Sequence, residues 1–73
     1  MKEIKTFRSA DNTKTALIGI HDEVLVVEFY ENGKRIGEIE YPDKAYGYVQ
    51  DAAENWTIGV MTTETIKRYQ RAA

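Results

Sequence analysis

The sequence has no cysteine, one histidine, one tryptophan and one proline among 73 residues. Without thiols there is no disulfide framework and no thiolate for metal or nucleophilic chemistry. That suits a reducing cytoplasm and removes the staples on which small secreted domains rely. No apolar run approaches the roughly 20 residues needed to span a bilayer, and the opening MKEIKTFRSA alternates and is charged, unlike a secretory leader. A soluble cytoplasmic protein with no membrane partner is expected. There is also no repeat, no low-complexity tract and no linker, so residues 1–73 read as a single domain.

A chain this short hides only about 60% of the surface its unfolded form exposes. Self-association is therefore a natural way to bury more, and a homo-oligomer is expected. The net charge of −2 is unevenly spread. Lys2, Lys5, Arg8 and Lys14 outnumber Glu3 and Asp11 at the amino end, and Lys67, Arg68 and Arg71 cluster at the other. Between Asp22 and Asp43, seven acids face two bases, a balance of −5. A broad phosphate-coating surface needs a basic excess, so extended duplex binding is disfavoured while a local basic pocket stays open.

The pattern predicts an α+β fold: a small antiparallel sheet of three to five strands, one helix packed on it and a short C-terminal helix. A first strand over about Glu3–Arg8 leads through the loop SADNTKT to TALIGIHD, whose residues alternate as a half-buried strand does. Asp22-Glu23 turns the chain into VLVVEFY, rich in β-branched and aromatic residues. Asn32-Gly33 is a strong type I′ signal. Continued without fault, that turn sets Val27 against Glu38 and Leu25 against Glu40, which would bury acids. One extra residue at Ile36-Gly37 removes the conflict by pairing Ile39 with Val27 and Tyr41 with Leu25. The predicted inner face is Leu25, Val27, Phe29, Ile36, Ile39 and Tyr41.

PDKAYGYVQDAAEN reads as a helix with Pro42 or Asp43 in its first turn and Tyr46, Val49 and Ala53 on one stripe. WTIGVM reads as a last strand or a packed connector. Thr62 or Thr63 then caps TETIKRYQRA, with Ile66 and Tyr69 inward.

The order of these features resembles the KTSC domain, a family named for its place at the carboxyl end of some lysyl-tRNA synthetases and also found alone in bacterial and phage genomes. The resemblance rests on a strand ending in His21-Asp22, LVVEF, the NG turn, a strand ending in Tyr41-Pro42, the series Pro42, Tyr46, Val49, Ala52, and Ile66 to Tyr69. It covers about residues 9–69. In the segment AENWTIGVMTTET the family's aromatic-Asn pair has a counterpart only for the ring, Trp56, so any contact made by the Asn does not carry over. The resemblance implies a small non-catalytic α+β module that binds RNA or another phosphate-bearing partner.

Catalysis has little support in the residues themselves. His21 is the only histidine, and strand alternation sends Asp22 to the opposite face, so the two are not expected to form a dyad. Glu28, Glu38 and Glu40 on one sheet face could hold a hard cation, or form a solvated outer face that discourages aggregation. No phosphate loop, His/Cys metal set or nucleophile elbow appears, and no cofactor is implied.

Binding has more support. Five tyrosines, one tryptophan and two phenylalanines are many rings for so thin a core. Tyr30, Tyr48 and Trp56 are the candidate stacking surfaces, and Lys34, Arg35, Lys67, Arg68 and Arg71 the candidate phosphate contacts. Tyr41, Tyr46 and Tyr69 read as core packing. Two functions follow. One is a module for a nucleotide or RNA, such as a phage counter-defence protein that sequesters a nucleotide signal in an oligomer. The other is a protein-interaction module or inhibitor whose acidic hairpin face docks on a host protein.

Overall fold

The computed structural model describes the backbone of residues 1–72 and the side chains of residues 1–68. Four strands, β1 (Lys2–Arg8), β2 (Lys14–His21), β3 (Val24–Glu31) and β4 (Lys34–Tyr41), precede two helices, α1 (Tyr46–Thr57) and α2 (Thr63–Ala72). The strands form one antiparallel meander in the order β1-β2-β3-β4. Helix α1 packs across β2, β3 and β1, and α2 packs against β4. The fold is α+β, and no helix among the described residues is long and apolar enough to cross a membrane.

The β3–β4 hairpin follows the register that charge requires. Asn32 and Gly33 take positive φ, 53° and 79°, and close the type I′ turn. Tyr30 pairs with Arg35, but Phe29 pairs with Gly37, so Ile36 is the extra residue. Beyond this bulge Val27 meets Ile39 and Leu25 meets Tyr41, while Glu28 and Glu38 face each other. The apolar residues thereby stay on the helix side. A second irregularity, between Glu3 and Lys5, leaves Ile4 unpaired in β1.

The β2–β3 turn is less comfortable. Asp22 and Glu23 both have positive φ, 51° and 67°, with His21 paired to Val24 around them. Asp tolerates the left-handed region; Glu lacks the short polar side chain that eases it.

Two stretches of the helical half depart from the sequence expectation. Helix α1 begins at Tyr46, not at Pro42 or Asp43, because the Lys44 N–H bonds back to the Tyr41 carbonyl at 3.5 Å and closes a turn over Pro42-Asp43. Tyr46, expected inward, stands at the mouth of the helix and is 37% exposed. WTIGVM is neither a strand nor a wholly packed connector. Trp56 completes the apolar stripe Val49, Ala52, Ala53, Trp56 of α1. Gly59, at φ 86°, then ends the helix as its N–H reaches the Trp56 carbonyl. Ile58 and Val60 are left 69% and 67% exposed. In α2, Ile66 is buried as expected; Tyr69 lies outside the described side chains.

The core joins Ala16, Ile18, Val27, Phe29, Ile39 and Tyr41 of the sheet to the α1 stripe and Ile66. Trp56 is its largest member and is fully buried. Its ring meets Phe29 edge-on at 5.5 Å and 70°, its Nε1–H donates to the Tyr30 carbonyl at 3.1 Å, and the Lys14 ammonium lies 4.8 Å from its centroid.

Two outcomes follow from these contacts. Glu23→Gly should raise the melting temperature by several degrees, since it relieves left-handed strain of roughly 1–2 kcal/mol against a smaller entropic loss. An unchanged or lower melting point would mean the turn carries no such strain. Trp56→Ala should cost about 3–5 kcal/mol in urea denaturation, a large share of the roughly 5–15 kcal/mol that stabilises a typical domain.

Candidate functional site

Trp56 presents no surface on which a base could stack, because its ring is spent between Phe29, Lys14 and a β3 carbonyl. This corrects its expected role in binding. The sequence signal was present: Trp56 continues the i, i+3, i+4, i+7 series from Val49, and a ring in that position packs inward.

Tyr30 and Arg35 do come together, on the sheet face that the helices leave uncovered. Bulge and turn place them opposite each other. Arg35 donates from Nη2 to Glu38 Oε1 at 2.8 Å and from Nε to Glu28 Oε2 at 3.4 Å, and the Tyr30 hydroxyl donates to Glu28 Oε1 at 3.4 Å. Burial, then the nearby Glu28 charge, pushes the Tyr30 phenol above its ordinary value, so it stays a neutral donor. The guanidinium is therefore committed to two carboxylates rather than open to a phosphate. The same pairing bears on the cation idea for Glu28, Glu38 and Glu40, since Arg35 already occupies the first two.

The remaining candidates are dispersed. Lys34 is exposed opposite Glu31. Lys67 and Arg68 are exposed on α2, and Arg71 lies outside the described side chains. His21 Nε2 lies 3.3 Å from Asp22 Oδ2, contrary to the expectation of opposite faces. Asp22 has left the strand with positive φ, so alternation no longer governs its direction. The two side chains are 60% and 88% exposed.

Two recesses compare directly. One, of about 330 Å³, lies between the Ser9–Lys14 loop and the end of α1 at Thr57–Gly59. Its donors are already used: the Asp11 carboxylate accepts from Ser9 Oγ and Thr13 Oγ1, each at 2.7 Å, and from the Thr13 N–H at 3.0 Å. These bonds, the Ser9 hydroxyl first, hold the Asp11 carboxyl at about 2 against an ordinary 3.8.

The other recess, of about 300 Å³, is the corner between β4 and α1, lined by Glu40, Tyr41, Pro42, Asp43, Lys44 and Tyr48. The Pro42-Asp43 turn forms its rim. Tyr48, in the first turn of α1, is 51% exposed. It meets Tyr41 edge-on at 5.9 Å and 64°, and the Lys44 ammonium lies 4.8 Å from its centroid. A half-exposed ring, held by a buried neighbour and flanked by a cation, is a stacking surface. Of its residues only Tyr48 stood out in the sequence as a binding candidate. Lys44 could have been found from its place between the strand-ending proline and that tyrosine.

No protein-family model matches this sequence, and neither the curated proteins nor the solved structures contain a significant match to it.

The Asp11 bonds set a pH dependence. A carboxyl whose pKa is lowered by folding stabilises the fold above pH 3.8 and loses that contribution as pH falls toward about 2. Asp11→Asn should therefore lower the melting temperature at neutral pH and flatten its decline over that acid window. A variant that melts with the wild-type acid profile would show that the loop bonds do not contribute.

Proposed function

We propose that this chain is a non-catalytic binding module of the KTSC type that seats the base of a nucleotide or of RNA in the β4–α1 corner. The observation that carries this is the half-exposed Tyr48 ring, braced by Tyr41 and accompanied by Lys44 over a recess of about 300 Å³. A base stacked on an aromatic side chain gains roughly 1–3 kcal/mol, and the volume suits a small ligand rather than a long duplex. Lys67 and Arg68 lie exposed on α2, the helix packed against the same strand, and supply positive charge for phosphates. Apart from Tyr41, the residues that line the corner are exposed. A second copy of the chain bringing its own surface there would enclose the ligand, which is how a nucleotide-sequestering oligomer, such as a phage counter-defence protein, would work.

A second reading, a protein-interaction module or inhibitor of a host protein, draws on the uncovered sheet face. Glu28 and Glu38 pair across β3 and β4, Glu40 continues the row, and among the described residues Arg35 is the cation paired with the first two. That acidic strip suits a basic partner surface and would act chiefly on association rate.

Thermal-shift measurements against short RNA oligonucleotides and mono-, di- and cyclic nucleotides separate the two, because a ligand that binds only the folded chain raises its melting point. Tyr48→Ala should reduce nucleotide affinity about ten-fold or more while keeping the native melting point, and Arg68→Ala should weaken phosphate-bearing ligands selectively. A panel without any shift, together with capture of one specific basic protein, would favour the second reading.

A further inference from the structure

The β4–α1 corner is short of positive charge for a phosphate site. Among the described residues Lys44 is its one cation, against the carboxylates of Glu40 and Asp43. The carboxylates also differ from their neighbours on the sheet. Glu28 and Glu38 are held by Arg35, whereas among the described residues no hydrogen bond or ion pair engages Glu40 or Asp43. Both are exposed and line the recess together with Tyr48.

An ionised carboxylate only accepts hydrogen bonds, and its two oxygens match two adjacent N–H donors. Among the common bases, the Watson–Crick edge of guanine alone places a ring N–H beside an exocyclic amino group. Adenine and cytosine set an acceptor nitrogen beside the amino group, and uracil flanks its single N–H with two carbonyl oxygens. Each of those edges would turn at least one lone pair toward the carboxylate.

From these features we infer that the corner selects guanine. The base lies on Tyr48, and its N1–H and N2 amino group donate to a carboxylate of the Glu40/Asp43 rim. The ribose and any phosphate point away from the acids. The inference rests on the binding reading above and deepens it. The same edge is offered by a free guanine nucleotide and by an unpaired guanine in RNA.

Isothermal titration of the full chain with guanosine, adenosine, cytidine and uridine tests it. Guanosine should bind about ten-fold more tightly than the other three, the discrimination expected of a bidentate base contact. In the double variant Glu40→Gln and Asp43→Asn, guanosine should fall to the level of adenosine while adenosine is unchanged. Tyr48→Ala should weaken all four. Nucleosides that bind the native chain equally, or a guanosine preference that survives in the double variant, would overturn the inference and leave the binding module standing. Failure of all four to bind, with Tyr48→Ala equally inert, would overturn both. Two further arms identify the source: GMP bound more tightly than the RNA pentamer UUGUU supports a free nucleotide, and the reverse supports single-stranded RNA. Equal binding of UUGUU and UUAUU would count against guanine selection.

Discussion

One extra residue in β4 decides what this sheet can be. Without Ile36 as a bulge, a type I′ turn at Asn32-Gly33 would set acids against the apolar residues of β3. An isolated carboxylate in a thin core would cost more than the whole domain has to spare. With the bulge, Ile39 and Tyr41 turn inward and Glu38 and Glu40 outward, and the sheet gains one apolar face on which α1 can lie. The position of Tyr41 has a further effect. It stands behind Tyr48 at the point where the chain leaves the sheet, so the hairpin register and the geometry of the corner have one origin.

Sheet architecture was legible because its signals are local and redundant. Alternation marks β2, β-branched residues mark β3, an Asn-Gly pair marks the turn, and the conflict between turn and hydrophobic pattern locates the bulge. The helical half was less so. Pro42-Asp43 is as good a β-turn as a helix start, and a backbone bond from Lys44 to Tyr41 selects between them. Ile58 and Val60 look like core in a list of residues. The helix ends at Thr57, the left-handed Gly59 turns the chain between the two, and both are left in solvent, an outcome fixed by the direction of the chain rather than by hydropathy.

The site was legible only in its residue types. Counting rings against a small interior points to a surplus, and the structure divides it: Trp56 and Tyr41 are buried, Tyr30 is half-buried, Tyr46 and Tyr48 are exposed. Which ring remains outside depends on helix phase, and a shift of α1 by one residue would exchange their roles. The fate of the cations was harder still to read. Arg35 resembles a phosphate ligand in the sequence, but the bulge sets Glu38 within 2.8 Å of its guanidinium. Lys44 comes to lie over Tyr48 only through the turn that precedes the helix.

A four-stranded meander ends in two borders, and the outer one at β1 carries an unpaired Ile4 between Glu3 and Lys5. An incoming strand needs an unbroken row of amides and carbonyls, and here the row is out of step by one residue. Lys2, Lys5 and Arg8 would also crowd against a copy of themselves. That border is thus blunted against growth of the sheet by addition of a strand from another chain.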